Sequence, residues 1–161
     1  MTRPDGIFYK MQDLLKDEYK LSFPKYIKDE YIRVRTQAEN AVRFNKRRTQ
    51  VERGTDIIEV SLEEIIEQIS FVYNLTEEQR NWLIEKETQA EIDAVRPIKD
   101  RIEFMHSLAR EGHKVILISD MYLPRKIIDE MLRKADPSLL KYDLFLSSEL
   151  GYQKSTGLLY Q

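Results

Sequence analysis

Ser119 and Asp120 close an unbroken apolar run, Val115-Ile116-Leu117-Ile118, and Pro124 follows shortly after. Ser147, Ser148 and Glu149 close a second apolar stretch, "YDLFLSS", and Lys154 lies beyond it between Gly151 and Gly157. A hydroxyl flanked by backbone amides, with a lysine carried back by a turn, suits a phosphoryl group. The amides and the ammonium donate to its oxygens and offset their charge. Taken singly, each residue has a plainer role: serine or aspartate after a strand is ordinary turn chemistry. A lysine in a turn is most often simply solvated. Only the joint pattern points to a phosphate site, and then only if the chain brings the two strand ends together.

The surrounding elements are of the kind that would do so. Ile98, Ile102, Met105 and Leu108 give one helical face after Arg96-Pro97, and Gly112 is a C-terminal stop. The apolar strand comes next, then a helix opened by Pro124 with Ile127, Ile128, Met131 and Leu132, then the second strand. Helix, strand, helix, strand with short links predicts parallel strands, and ligands of open parallel sheets sit beyond the carboxyl ends. "VILI" is apolar at every position, which predicts a strand covered on both faces.

The first two-thirds of the chain reads as helices. Ile7, Phe8, Met11, Leu14 and Leu15 keep helical spacing between Asp5 and Tyr19, and Ile27, Tyr31, Val34, Ala38 and Ala41 continue it after Phe23-Pro24. Ser61 with Glu64 is a capping box, which opens a helix faced by Leu62, Ile65, Ile66, Ile69 and Tyr73. Thr76 with Gln79 repeats the signal and starts a helix running to about Asp93. The fold class is therefore α/β and mostly helical overall, with a helical domain over 1–93 and a piece of α/β domain with parallel strands over 94–161.

Composition narrows the chemistry. The 161 residues include 26 basic and 28 acidic side chains, a net charge of −2, and no cysteine. That balance predicts no general affinity for nucleic acid or an anionic membrane. Disulfides, thiolate catalysis and cysteine-held zinc are excluded, and with only His106 and His113 any metal would be a hard ion on oxygen ligands. No apolar run has the length of a membrane span and the N-terminus has no signal-peptide core, so the expected location is cytoplasmic.

"GHKVILISDMYLP" followed by "LFLSSELGYQKSTGLLY" resembles the haloacid dehalogenase superfamily of phosphatases, most closely the branch found beside or fused to bacterial glycosyltransferases. "RPDGIFYKMQDLL", the Arg35/Ala38/Glu39 pattern and "SLEEIIEQI" resemble the helical cap of that branch. The resemblance implies a helical cap over a Rossmann-like core, and phosphoryl transfer to an aspartate followed by hydrolysis. It places Ser119 and Asp120 at the phosphate-binding second motif and gives Lys154 the catalytic role of steadying nucleophile and developing charge. Arg35, on the cap, would contact the far end of the substrate. Magnesium is the cofactor of complete members. The implied partner is a phosphorylated small molecule, with a possible link to a glycosyltransferase or polysaccharide biosynthesis.

The pattern also breaks. The first family motif, an Asp-x-Asp pair that supplies nucleophile and metal ligand, occurs nowhere in this sequence, and an acidic fourth motif does not follow Lys154. Serine and lysine bind phosphate but provide neither an in-line nucleophile nor a magnesium site. The expectation is a truncated, inactive portion of such an enzyme, with no metal ligand of its own. Without the first-motif strand, "VILI" would show an open edge prone to pairing or aggregation. The alternative is a non-catalytic helical interaction module.

Three other features have plain readings. Arg43, Lys46, Arg47 and Arg48 are expected at a helix C-terminus, where cations complement the dipole; the alternative is an anion or nucleic-acid patch. Arg35 and Glu39 are spaced to pair on one helix face. Glu87 and Glu91 share a face too, and without histidines beside them they read as a solvated acidic surface rather than metal ligands.

Overall fold

The computed structural model describes residues 6–53, 59–150 and 154. Four helices come first: α1 (Gly6–Asp17), α2 (Lys25–Arg53), α3 (Leu62–Tyr73) and α4 (Glu77–Ala94). There follow α5 (Lys99–Arg110), β1 (Ile116–Ser119), α6 (Arg125–Ala135), a 3-10 turn (Pro137–Lys141), β2 (Asp143–Leu146) and the short α7 (Ser147–Leu150). The fold is mostly helical with one small parallel sheet of two strands.

Local chemistry explains the helix starts. The Glu64 amide donates to Ser61 Oγ at 3.2 Å and the Ser61 amide to Glu64 Oε2 at 2.8 Å. Thr76 and Gln79 repeat the exchange at 3.2 and 2.8 Å. Each pair satisfies two amides that a helix N-terminus leaves without partners. Gln79 also donates to the Leu21 carbonyl at 2.6 Å, which ties α4 to the link between α1 and α2. Gly112, at φ +90°, turns the chain out of α5, a backbone conformation that costs other residues a Cβ clash.

The apolar stripes read from the sequence form the core. Met11 and Leu15 of α1, Ile27, Tyr31, Val34 and Ala38 of α2, and Leu62, Ile65, Ile66 and Ile69 of α3 are all buried. Leu123, Ile128 and Leu146 belong to the same contiguous core, so the sheet unit is built onto the helical block across residue 94. β1 and β2 are parallel, with Ser119 opposite Leu146, so both strands finish side by side.

Three sequence expectations are corrected. The β1 strand is not covered on both faces: Ile116 is 43% exposed, and Phe145 of the paired β2 is exposed as well. The apolar stripe of α5 is only partly covered: Ile102, Met105 and Leu108 are half-buried, Ile98 is 67% exposed, and no residue of this helix is fully buried. Arg43 to Arg48 are not at a helix end, since α2 runs on to Arg53. Arg43 instead bonds Glu39 at 2.8 Å, and Lys46 bonds Glu64 and the Glu59 carbonyl at 2.6 Å. Arg47 and Arg48 are exposed on the same helix.

Ser61→Ala removes one acceptor of the α3 capping box and is expected to lower stability by about 1 kcal/mol in urea denaturation, whereas Ser148→Ala, at an exposed position, changes it little.

Candidate functional site

Two groups of polar residues stand out, one at the carboxyl ends of the strands and one buried beside the loop that leaves β1. At the strand ends Ser119 is half-buried and Asp120 exposed. The Lys154 amide donates to both Asp120 carboxylate oxygens at 3.2 Å. The two positions, 34 residues apart, are thus brought to one end of the sheet. Gly151, Gly157 and the "STGLLY" after Lys154 lie outside the described residues. Ser147, at the end of β2, is fully buried and its Oγ has no hydrogen-bond partner among the described residues.

Arg125, at the start of α6, closes the side of this end. Its Nε donates to Glu149 at 2.7 Å and its Nη2 to the Leu144 carbonyl at 2.9 Å. The bond from Arg125 holds the Glu149 carboxyl below the usual carboxylate range. Glu149 is therefore engaged, leaving Asp120 as the remaining strand-end carboxylate. No group of three histidine, aspartate or glutamate side chains converges among the described residues. A hard cation needs several convergent oxygens, and the described residues alone do not supply such a set.

Arg35 lies elsewhere, and deep. It is 0% exposed, and so is the Glu87 side chain that faces it. Arg35 Nε donates to Glu87 Oε1 at 2.9 Å and Oε2 at 3.2 Å, and Nη1 donates to Glu39 Oε2 at 2.9 Å. Phe8 of α1 and Tyr122 of the β1–α6 loop each place a ring centroid 5.1 Å from the guanidinium carbon, a cation–π contact in each case. Tyr31 donates to Glu87 Oε2 at 2.7 Å, and Tyr122 donates to Glu91 in a very close contact. Of the Arg35 nitrogens, Nη2 has no hydrogen-bond partner among the described residues.

The electrostatics follow from burial. Desolvation acts to lower Arg35, but facing Glu87, then Tyr31, Tyr122 and Glu39, more than offset it, so the guanidinium stays charged. Burial raises the Tyr122 hydroxyl well above its ordinary value, with the Glu87 and Glu91 carboxylates adding to the effect. Burial acts to raise Glu39 too, but the bond from Arg43 and the charge of Arg35 outweigh it and hold that carboxyl low.

The sequence reading is thus sorted. Ser119, Asp120 and Lys154 share one end of the sheet. Arg35 pairs with Glu39 on one helix face as expected, yet sits wholly inside the protein. Glu87 and Glu91 are not a solvated acidic face. They are buried, because α4 turns them toward Arg35 and the two tyrosines. Tyr31, Tyr122 and Phe8 went unremarked as partners. One signal was available for the carboxylates: continuing from Gln79 and Leu83 at helical spacing lands on Glu87 and Ala90–Glu91, a polar pair on a core-facing row.

No protein-family model matches this chain, and no curated protein matches it. No helix among the described residues is long and apolar enough to cross a membrane.

Arg35→Leu leaves Glu87 buried without its cation and is expected to cost about 3–5 kcal/mol in urea denaturation. The double change Arg35→Leu/Glu87→Leu, which removes both charges, is expected to recover most of that loss.

Proposed function

We propose that this chain is a haloacid-dehalogenase-like phosphatase-family protein that holds a phosphorylated small molecule at the strand ends without turning it over on its own residues. The observation that carries the reading is the Lys154 amide on the Asp120 carboxylate, beside Ser119 at the end of a parallel strand. Support comes also from Ser147 at the neighbouring strand end, whose buried hydroxyl has no partner among the described residues. Parallel strands finishing together, each followed by a hydroxyl, are the arrangement in which a phosphoryl group gains donors from several directions. In this reading Ser119 and Ser147 donate to phosphoryl oxygens, and the Lys154 ammonium offsets their charge. Asp120 holds the Lys154 segment and, being anionic, is better suited to that than to touching phosphate. Arg35 orders the helical cap rather than reaching the far end of a substrate.

The absence of turnover rests on chemistry. The sequence has no Asp-x-Asp pair to supply a nucleophile for in-line attack. Magnesium chemistry, which complete members use, has no ligand set among the described residues. On the resemblance to that family alone, the ligand would be a small phosphate ester of the kind handled in polysaccharide metabolism.

A second reading, a non-catalytic interaction module, is favoured by one observation. The exposed Ile98, Phe104, Ile116 and Phe145 leave apolar surface uncovered on the sheet unit. Size-exclusion chromatography separates the two: a defined dimer supports the module, and a monomer supports the phosphate-binding reading.

Inorganic phosphate titrated into the chain is expected to shift the amide resonances of Ser119, Ser147 and Lys154, and Lys154→Ala to weaken the binding about tenfold. Phosphate release from p-nitrophenyl phosphate with magnesium is expected to match the Lys154→Ala variant. Release well above that variant would overturn the absence of turnover, and no amide shift at any phosphate concentration would overturn the site.

A further inference from the structure

Tyr122 lies in the loop that begins at Asp120, and four contacts fasten that residue and its neighbour to the helical block. The Leu62 amide donates to the Tyr122 carbonyl at 3.1 Å. Its ring lies on Arg35, its hydroxyl reaches Glu91, and the adjacent Leu123 is fully buried in the shared core. The hydroxyl also lies 3.4 Å from Glu87 Oε1. One phenolic proton therefore has two carboxylates within reach.

Charge counting makes this arrangement sensitive to a single proton. With all groups ionised, the buried carboxylates of Glu87 and Glu91 face the one buried guanidinium, Arg35, an excess of one negative charge, while the partly exposed Glu39 is shared between Arg35 and Arg43. Tyr31 of α2 is already committed to Glu87. The next cations along α4 serve Asp93 instead: Lys10 of α1 at 2.9 Å and Lys134 of α6 at 4.0 Å. Lys134 further donates to the Ile92 carbonyl at 2.7 Å. A protonated Glu91 removes the excess. It can then donate to the Tyr122 oxygen while the Tyr122 proton turns to Glu87, so that every member of the row has a partner.

We propose that Glu91 and Tyr122 form a proton-controlled clamp on the Ser119–Asp120 loop, closed when Glu91 carries a proton and loosened when it ionises beside Glu87. Burial raises the Glu91 carboxyl above the ordinary range; the Tyr122 hydrogen bond opposes this, Glu87 adds to it and Arg35 opposes it. The sign follows. A carboxyl raised in the folded state contributes stability that is whole below its unfolded range and is lost as pH rises through the raised value. The clamp is thus tightest in mild acid. Its bearing on a ligand rests on the phosphate-site reading above; the clamp itself does not.

Amide hydrogen exchange of the full chain, corrected for intrinsic rate, tests it without any ligand. Between about pH 5 and about pH 8 the protection of residues 119–123 is expected to fall about tenfold, while that of Ile65 to Ile69 holds. Glu91→Gln, neutral and of the same shape, is expected to abolish that fall. Tyr122→Phe, which keeps the ring on Arg35, is expected to lower protection at both pH values. Glu91→Gln falling as the wild type does, or a wild type without the fall, would overturn the clamp, and the glutamine variant decides the matter even if Tyr122→Phe does not fold. Phosphate binding that fails while the exchange behaves as expected removes the phosphate site and leaves the clamp standing.

Discussion

The structure depends on a guanidinium taken out of water. An arginine in an apolar interior is tolerated only where its charge and its donors are met by partners that are themselves fixed. Arg35 meets this condition with Glu87 on Nε, Glu39 on Nη1, and the rings of Phe8 and Tyr122 stacked beside the guanidinium. Those partners come from α1, α2, α4 and the loop after β1. Satisfying one side chain therefore fixes how the helices of the first part stand against each other, and how the sheet unit docks on them. An aliphatic residue there would bury as well, but would not specify which neighbours it meets.

The same cluster gives the strand-end loop its setting. Ser119 and Asp120 are local consequences of where β1 stops, yet the backbone beyond them is directed by Tyr122, Leu123 and the Leu62 amide. On the other side Arg125 links the start of α6 to β2 and α7 through Leu144 and Glu149. The strand-end site is thus held from two directions, one buried and one exposed. Ion pairs as exposed as that of Arg125 contribute little by themselves. The buried side is where loop position is decided.

Much of the architecture was legible because it rests on short-range rules. The capping boxes at Ser61 and Thr76, the apolar rows of α1 to α3, the turn at Gly112 and the parallel pairing of the two strands all appear where spacing placed them. Coverage was not legible. "VILI" looks like a strand buried on both faces and α5 like a helix with a packed side. Whether anything covers them depends on elements far along the chain, and periodicity within a segment says nothing of its opposite number. The length of α2 was underestimated for a related reason: Arg43 to Arg48 looked like a helix end, but cations also lie comfortably along a helix that bonds Glu39 and Glu64.

Sequence by itself determined the helical majority, the strand pair, the placing of hydroxyls after each strand, and the lack of an Asp-x-Asp pair. These depend on residue type and on neighbours a few positions away. Tertiary structure alone decided that Glu87 and Glu91 point inward, that Arg35 is interior and that Tyr122 lies against it. It also decided that the Lys154 amide comes back to Asp120. The energy of a charge depends on what surrounds it in space: Glu87 would be an unremarkable surface carboxylate if α4 were rotated, and is indispensable only because Arg35 is opposite. That opposition, between positions 52 residues apart, is not present in either segment until the chain has folded.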